Sequence, residues 1–118
     1  EQAEIFDAVA QKRGSAPPVI DADDVLKNPR EVLGALCNAC GIPFDEAMLK
    51  WPRGPKSFDG VWAPHWYNAV WESTGFAAPV EKTVELTSHL AKIADEARGP
   101  YLSLKAHSLV GVGSKQAR

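Results

Sequence analysis

The apolar positions of this chain follow a helical period in several separate segments. Ile5, Phe6 and Val9 share one face within residues 2–12 and predict a short amphipathic helix. The run GSAPP, at residues 14–18, ends that helix because glycine and proline interrupt the helical backbone. The predicted fold therefore opens with a helix and a stiff, proline-containing turn.

A short strand is predicted near residues 18–21. The stretch PVID joins two β-branched residues, Val19 and Ile20, in an apolar run too short for a helix. A strand needs a neighbour for its backbone donors and acceptors, and no other segment predicts a strand as clearly. We therefore expect only part of a sheet in this chain, with an unpaired edge that favours a homodimer.

The next helix has start and stop signals. Asn28 is a predicted cap, Pro29 suits the first helical position, Glu31 completes a capping-box pattern and Gly41 ends the helix.

Two cysteines, Cys37 and Cys40, have the spacing of a redox or zinc half-site. They lie near the end of the predicted helix on its apolar stripe, whereas a redox pair usually opens a helix. A zinc site also needs further ligands, and the three histidines are scattered. We interpret both cysteines as reduced and buried, and expect no metal and a cytoplasmic location.

Glycine and proline punctuate the rest of the chain. We predict a short helix in EAMLKW capped by Asp45, and then a loop over 52–62. A helix from Pro64 to Gly75 follows. The next predicted helix runs from Pro79 to Gly99, with Leu86, Leu90, Ile93 and Ala97 on one face, and a short helix begins after Pro100. Residues 1–110 then show no internal domain boundary and are expected to be part of a single domain, and residues 111–118 are expected to form a flexible tail.

Charge and hydropathy exclude some classes of protein. The 118 residues carry 13 cations and 15 acids, a formal charge of -2, which gives no general attraction to nucleic acid or to a membrane surface. No apolar run approaches the roughly 20 residues that span a bilayer.

The segments VIDADDVLKNP, GIPFDEAML and WYNAVWESTGF resemble the C-terminal half of bacterial sulfotransferase-like proteins with a P-loop, a family related to plant aminotransferase-like proteins. The resemblance implies an α/β nucleotide-binding fold, partial here and mostly α-helical in this chain. It also implies sulfuryl transfer from 3′-phosphoadenosine-5′-phosphosulfate to a hydroxyl or amine of a small acceptor.

The same resemblance places candidate site residues in the aromatic stretch 51–71. A late Arg-Lys-Gly cluster of the family holds the 3′-phosphate, and Arg53, Gly54 and Lys56 stand in a comparable place in a different order. Two cations and a glycine on a loop suit a phosphate dianion. A solvated loop is the alternative interpretation.

Four further residues are candidates. Trp62 and Trp66 offer flat faces for a base, although the preferred interpretation is that the aromatics fix the helix to a sheet. His65 is a candidate substrate contact or general base, with a structural role as the alternative. Asp21, at the end of the predicted strand, is a candidate substrate contact because ligands of open α/β folds gather there.

The family's phosphate-binding loop has no good counterpart in the sequence. GVGSK, at residues 111–115, lacks the first glycine and the spacing of such a loop. We therefore expect this chain alone not to catalyse sulfuryl transfer. A non-catalytic helical interaction module is the alternative function.

Overall fold

A computed structural model describes residues 1–109, which are largely helical. The predicted tail over 111–118 and the GVGSK segment lie outside the described residues. In chain order the helices are α1 (Gln2–Arg13), α2 (Ala22–Lys27), α3 (Pro29–Cys40), a 3₁₀ turn (Glu46–Met48), α4 (Ala63–Trp66), α5 (Asn68–Glu72) and α6 (Ser88–Lys105).

The two helices with the strongest stop signals are confirmed. Gly14 ends α1 and Gly41 ends α3, with left-handed φ values of 72° and 69° that favour glycine. Asn28 caps α3 by accepting a hydrogen bond from the Glu31 amide at 3.3 Å. The Glu31 carboxylate accepts from the Asn28 side-chain amide at 2.7 Å, so the two side chains complete the cap together.

The prediction of a strand over 18–21 is wrong, because in the described part of the chain this segment has only a single bridge. Val19 forms a single parallel bridge with Ser108, and the Leu109 amide donates to the Val19 carbonyl at 3.1 Å. Asp21 already caps α2, so the extended backbone ends two residues after Val19. Within residues 1–109 the extended pairings are isolated bridges, this one and an antiparallel bridge between Lys50 and Gly75.

The predicted helix over 64–75 is divided at Tyr67 into α4 and α5. The 45–51 segment forms only the 3₁₀ turn, where Asp45 accepts from the Ala47 amide at 2.8 Å as its predicted cap.

The predicted boundaries in the last third are wrong. Residues 79–87 are not helical, and α6 begins at Ser88 and continues through Gly99 and Pro100 to Lys105. Residues 79–87 include Val80, Thr83 and Val84, β-branched residues that lower helix propensity. Pro100 lacks only one amide hydrogen bond, so the turns on either side of it can remain helical.

Few side chains within residues 1–109 are fully buried. Val32 and Cys37 on α3, Ala63 at the start of α4, and the polar Ser108 are the buried residues. Cys40, predicted to be buried, is exposed because it lies in the last turn of α3, where nothing covers the stripe. Helix contacts join α2 to α3, α4 to α5, and α1 to α6. No helix of the described range is long and apolar enough to cross a bilayer.

Candidate functional site

The loop over residues 51–62 is tied to α5 and the residues after it. The Trp51 amide donates to the Thr74 carbonyl at 3.1 Å, and its indole nitrogen donates to the Ser73 hydroxyl at 2.9 Å. The Trp51 ring meets Phe76 edge to face, with centroids 5.4 Å apart. These contacts hold one end of the loop in a defined position.

Gly54 makes the turn of this loop possible. Its φ is 100°, a region that side-chain-bearing residues rarely adopt. Its amide donates to the Trp71 carbonyl at 2.8 Å, at the end of α5. The glycine is thus required by the local backbone, whether or not a ligand binds here.

Lys56 and Asp59 close the loop from inside. The Lys56 ammonium donates to the carbonyls of Pro52, at 2.6 Å, and Gly54, at 2.9 Å. The Asp59 carboxylate accepts from the Lys56 amide at 2.7 Å and from the Trp71 indole at 2.9 Å. These two donors lower the pKa of Asp59 by stabilising its ionised form.

Arg53 presents its charge to solvent. Its Nε donates to the Glu72 carbonyl at 3.2 Å, and Nη1 lies 3.5 Å from the Glu72 carboxylate. Both side chains are exposed, at 67% and 75%, so this ion pair is weak and exchangeable. The structure therefore brings Arg53, Gly54 and Lys56 together in one loop, with Arg53 as the more available cation.

The aromatic packing predicted for α4 is wrong for Trp62 and Trp66. Trp62 is 56% exposed and Trp66 77% exposed, because no sheet is present within residues 1–109 for them to pack against. The Trp62 indole covers Gly60, where an added Cβ would come within 2.5 Å of the ring. His65 is also exposed, in the short α4.

Asp21 belongs to a second cluster, which joins α2 to the end of α6. Its carboxylate accepts from the Asp23 amide at 2.9 Å and from the Tyr101 hydroxyl at 2.7 Å. The Lys105 ammonium lies 3.0 Å from the same oxygen that Tyr101 contacts, and it also pairs with Asp24. Asp21, predicted to be a strand-end ligand contact, is therefore also the cap of α2.

Hydrogen bonds, together with opposite charge, set the ionisation of this cluster. The Tyr101 hydroxyl, the Lys105 ammonium and the Asp23 amide together lower the pKa of Asp21 from 3.8 to about 2. Hydrogen bonding to Asp24 and Asp21 raises the pKa of Lys105. Asp21 is thus ionised and Lys105 protonated at neutral pH.

The sequence interpretation missed Tyr101, Lys105 and Ser108. Tyr101 and Lys105 are four residues apart on one helix, so they share a face, a signal that was available in the sequence. Their acidic partners lie about eighty residues earlier, which no local pattern indicates.

The two clusters are built from different elements. The Asp21 cluster lies on α2 and α6, and the Arg53 loop lies on residues 51–62 and α5. In the described part of the chain, no group of three or more His, Cys, Asp or Glu side chains is placed to hold a metal ion.

Comparisons with known proteins cover most of the chain. The chain is 53% identical over 66 residues to branched-chain-amino-acid aminotransferase-like protein 1, and 47% identical over 66 residues to branched-chain-amino-acid aminotransferase-like protein 2, both from Arabidopsis thaliana. Each alignment covers 56% of this chain and 12% of the relative, so the chain spans a small part of those proteins. No solved structure matches it. Residues 1–106 match the sulfotransferase domain, and the chain belongs to that family.

Proposed function

We propose that this chain contributes to a sulfotransferase domain that transfers a sulfuryl group from 3′-phosphoadenosine-5′-phosphosulfate to a small acceptor. The observation that carries the proposal is the family match, which extends over residues 1–106. The donor, the acceptor and the activity of a whole protein are all parts of the proposal, since the chain covers 12% of its curated relatives.

The Arg53 loop is the proposed contact for the 3′-phosphate. A phosphate competes well for Arg53 because the present partner, Glu72, is solvent-exposed and weakly held. Lys56 closes the loop through two carbonyls, which positions the Gly54 turn beside Arg53. In this proposal Arg53 binds the phosphate and Lys56 orders the loop.

Trp62 and Trp66 are the proposed stacking surfaces for the adenine. Their exposed rings leave flat faces accessible, and stacking of a base on an aromatic ring contributes about 1–3 kcal/mol. His65, exposed beside Trp66, remains a proposed substrate contact.

The α/β nucleotide-binding fold is proposed for the larger domain. The Val19–Ser108 bridge is parallel, and parallel pairing requires a crossover connection such as the helices between these residues. Such pairing is typical of α/β sheets.

Isothermal titration of the chain with 3′-phosphoadenosine-5′-phosphate tests the donor site. We expect binding that weakens about tenfold or more in Arg53→Ala, since a hydrogen bond to a charged group contributes about 1.5–3 kcal/mol. Arg98→Ala is the matched control, because Arg98 is equally exposed and lies 3.6 Å from Asp95. Absence of heat at millimolar nucleotide, or equal loss in both variants, contradicts the proposed site.

A non-catalytic interaction module is the second candidate function. The exposed apolar side chains of Phe58, at 84%, and Val61, at 89%, lie in the same stretch as Trp62 and Trp66 and favour this candidate. Nucleotide binding that depends on Arg53 separates the two candidates, because an interaction module has no need of it.

A further inference from the structure

A cavity lies between α1, residues 17–22 and the last turns of α6. Its volume is about 770 Å³, within the range of small-molecule sites, which is roughly 300–1,000 Å³. Phe6 and Val9 of α1 line it, together with Val19 and with Leu104 of α6. The cavity is separate from the Arg53 loop, none of whose residues line it.

The cavity lining is largely apolar, with Gln2 on α1 and the Asp21 cluster as its polar side chains. Pro17 and Pro18 belong to the lining, and their fixed φ angles hold that segment in shape without a ligand. At the polar end, Asp21, Tyr101 and Lys105 all line the cavity. An apolar cavity with a few convergent polar groups is the usual form of a small-molecule site.

The polar end retains capacity for one further partner. The Tyr101 hydroxyl donates its hydrogen to Asp21 and keeps lone pairs that accept. Lys105 has three N–H donors and pairs with Asp21 and Asp24, which leaves one donor. A ligand hydroxyl both donates and accepts, so it matches an acceptor on Tyr101 beside a donor on Lys105.

We propose that this cavity binds a small, largely apolar molecule through its hydroxyl group, which lies against Tyr101 and Lys105. The chemical class follows from the largely apolar lining, which favours an apolar body, and from the polar cluster of Asp21, Tyr101 and Lys105. If the proposed function holds, this molecule is the sulfuryl acceptor. Its role as acceptor rests on the proposed function, whereas its binding to the cavity does not.

Two isosteric probes test the cavity without any nucleotide. Benzyl alcohol and ethylbenzene differ by a hydroxyl in place of a methyl group, and each is titrated into the ¹⁵N-labelled chain by NMR. We expect amide shifts at Ile20 and Ala22 with both probes. If neither probe binds the cavity, the proposed nucleotide site is not contradicted. If the nucleotide does not bind, the result for the cavity is not affected.

The hydroxyl contact is tested by Tyr101→Phe. We expect the Kd of benzyl alcohol to rise about three- to tenfold, the effect of one hydrogen bond, and that of ethylbenzene to change less than twofold. Tyr67→Phe, at a half-buried tyrosine between α4 and α5 that does not line the cavity, is the control and should change neither. Val9→Trp should weaken both probes because it fills the cavity.

Three results would overturn the inference. They are no shift at the cavity with either probe, an equal effect of Tyr101→Phe on both probes, and unchanged binding in Val9→Trp. The amide spectrum of each variant shows directly whether the chain keeps its fold, and Val9 is 37% exposed, so its replacement does not disturb a closed core.

Discussion

Individual residues of this chain are held by a few strong polar contacts in place of a large apolar core. Asp21 shows this most clearly, since one carboxylate caps α2 and also contacts Tyr101 and Lys105 on α6. Its side chain is 11% exposed, so these contacts are little screened by solvent.

These contacts should therefore lower the pKa of Asp21, which can be measured. We expect a pKa of about 2 in an NMR titration of the carboxyl group, because the ionised form has three donors. Lys105→Met should raise this pKa toward 3.8, whereas Lys92→Met, on the same helix, should leave it unchanged. An Asp21 pKa that is the same in Lys105→Met as in the original chain would contradict the contact.

The sign of the effect on stability follows from the same shift. Because the folded pKa is lowered, Asp21 stabilises the fold fully above its ordinary pKa, and this contribution is lost as pH falls from about 4 to about 2. Asp21→Asn should reduce the pH dependence in that interval and leave the share that Asp59 contributes, as followed by unfolding in urea, with Asp7→Asn on exposed α1 as the control.

Two glycines should respond in opposite directions to alanine. Gly54→Ala forces a side chain into φ of 100° and should destabilise by about 1–2 kcal/mol. Gly34→Ala lies within α3 with no atom near its Cβ position, and should stabilise by roughly 0.5–1 kcal/mol. Unfolding midpoints of the two variants check this pair, and a stabilising Gly54→Ala would show that the loop turn is not as described.

At the scale of elements, α6 depends on contacts at its C-terminal half. Its interior contains Gly99 and Pro100, both unfavourable in a helix, yet Tyr101 and Lys105 beyond them make the contacts with α2. These contacts with α2 thus keep the parts of α6 before and after Gly99 and Pro100 in one continuous helix, although local signals would separate them.

Replacing the proline tests that account of α6. Pro100→Ala restores a helical amide and should stabilise by about 1–3 kcal/mol and increase helical circular dichroism. Pro79→Ala, in the non-helical residues 79–87, is the control and should leave helicity unchanged. A loss of helicity in Pro100→Ala would contradict the continuous helix.

At the scale of the whole molecule, residues 1–109 leave large apolar side chains exposed to solvent. Phe58, Val61 and Trp66 are among them. Such a surface favours association with another chain or segment.

We accordingly expect the isolated chain to self-associate or to unfold without a sharp transition. Ile20 lies beside the Val19–Ser108 bridge and is partly exposed, which favours pairing with a partner strand in the predicted homodimer. Light scattering after size exclusion should give a mass above 12.8 kDa. A monomer that melts sharply would contradict this expectation.

Helices α1 and α3, and the turn residues at their ends, could be predicted from local sequence signals. These depend on signals within a few residues, such as Asn28 before Pro29 and the glycines that adopt a left-handed backbone. The Arg53 loop was also predictable as a loop, because proline and glycine punctuate it.

Which side chains are covered, and which distant residues meet, depends on long-range packing that local sequence does not encode. Within residues 1–109 the segment predicted as a strand at 18–21 forms one bridge, because Asp21 already caps α2. Trp62 and Trp66 stay exposed because no sheet within residues 1–109 faces them. The joining of Asp21 to Tyr101 and Lys105 crosses about eighty residues. Local propensity carries no information over that distance, whereas the fold brings the charges within 3.0 Å.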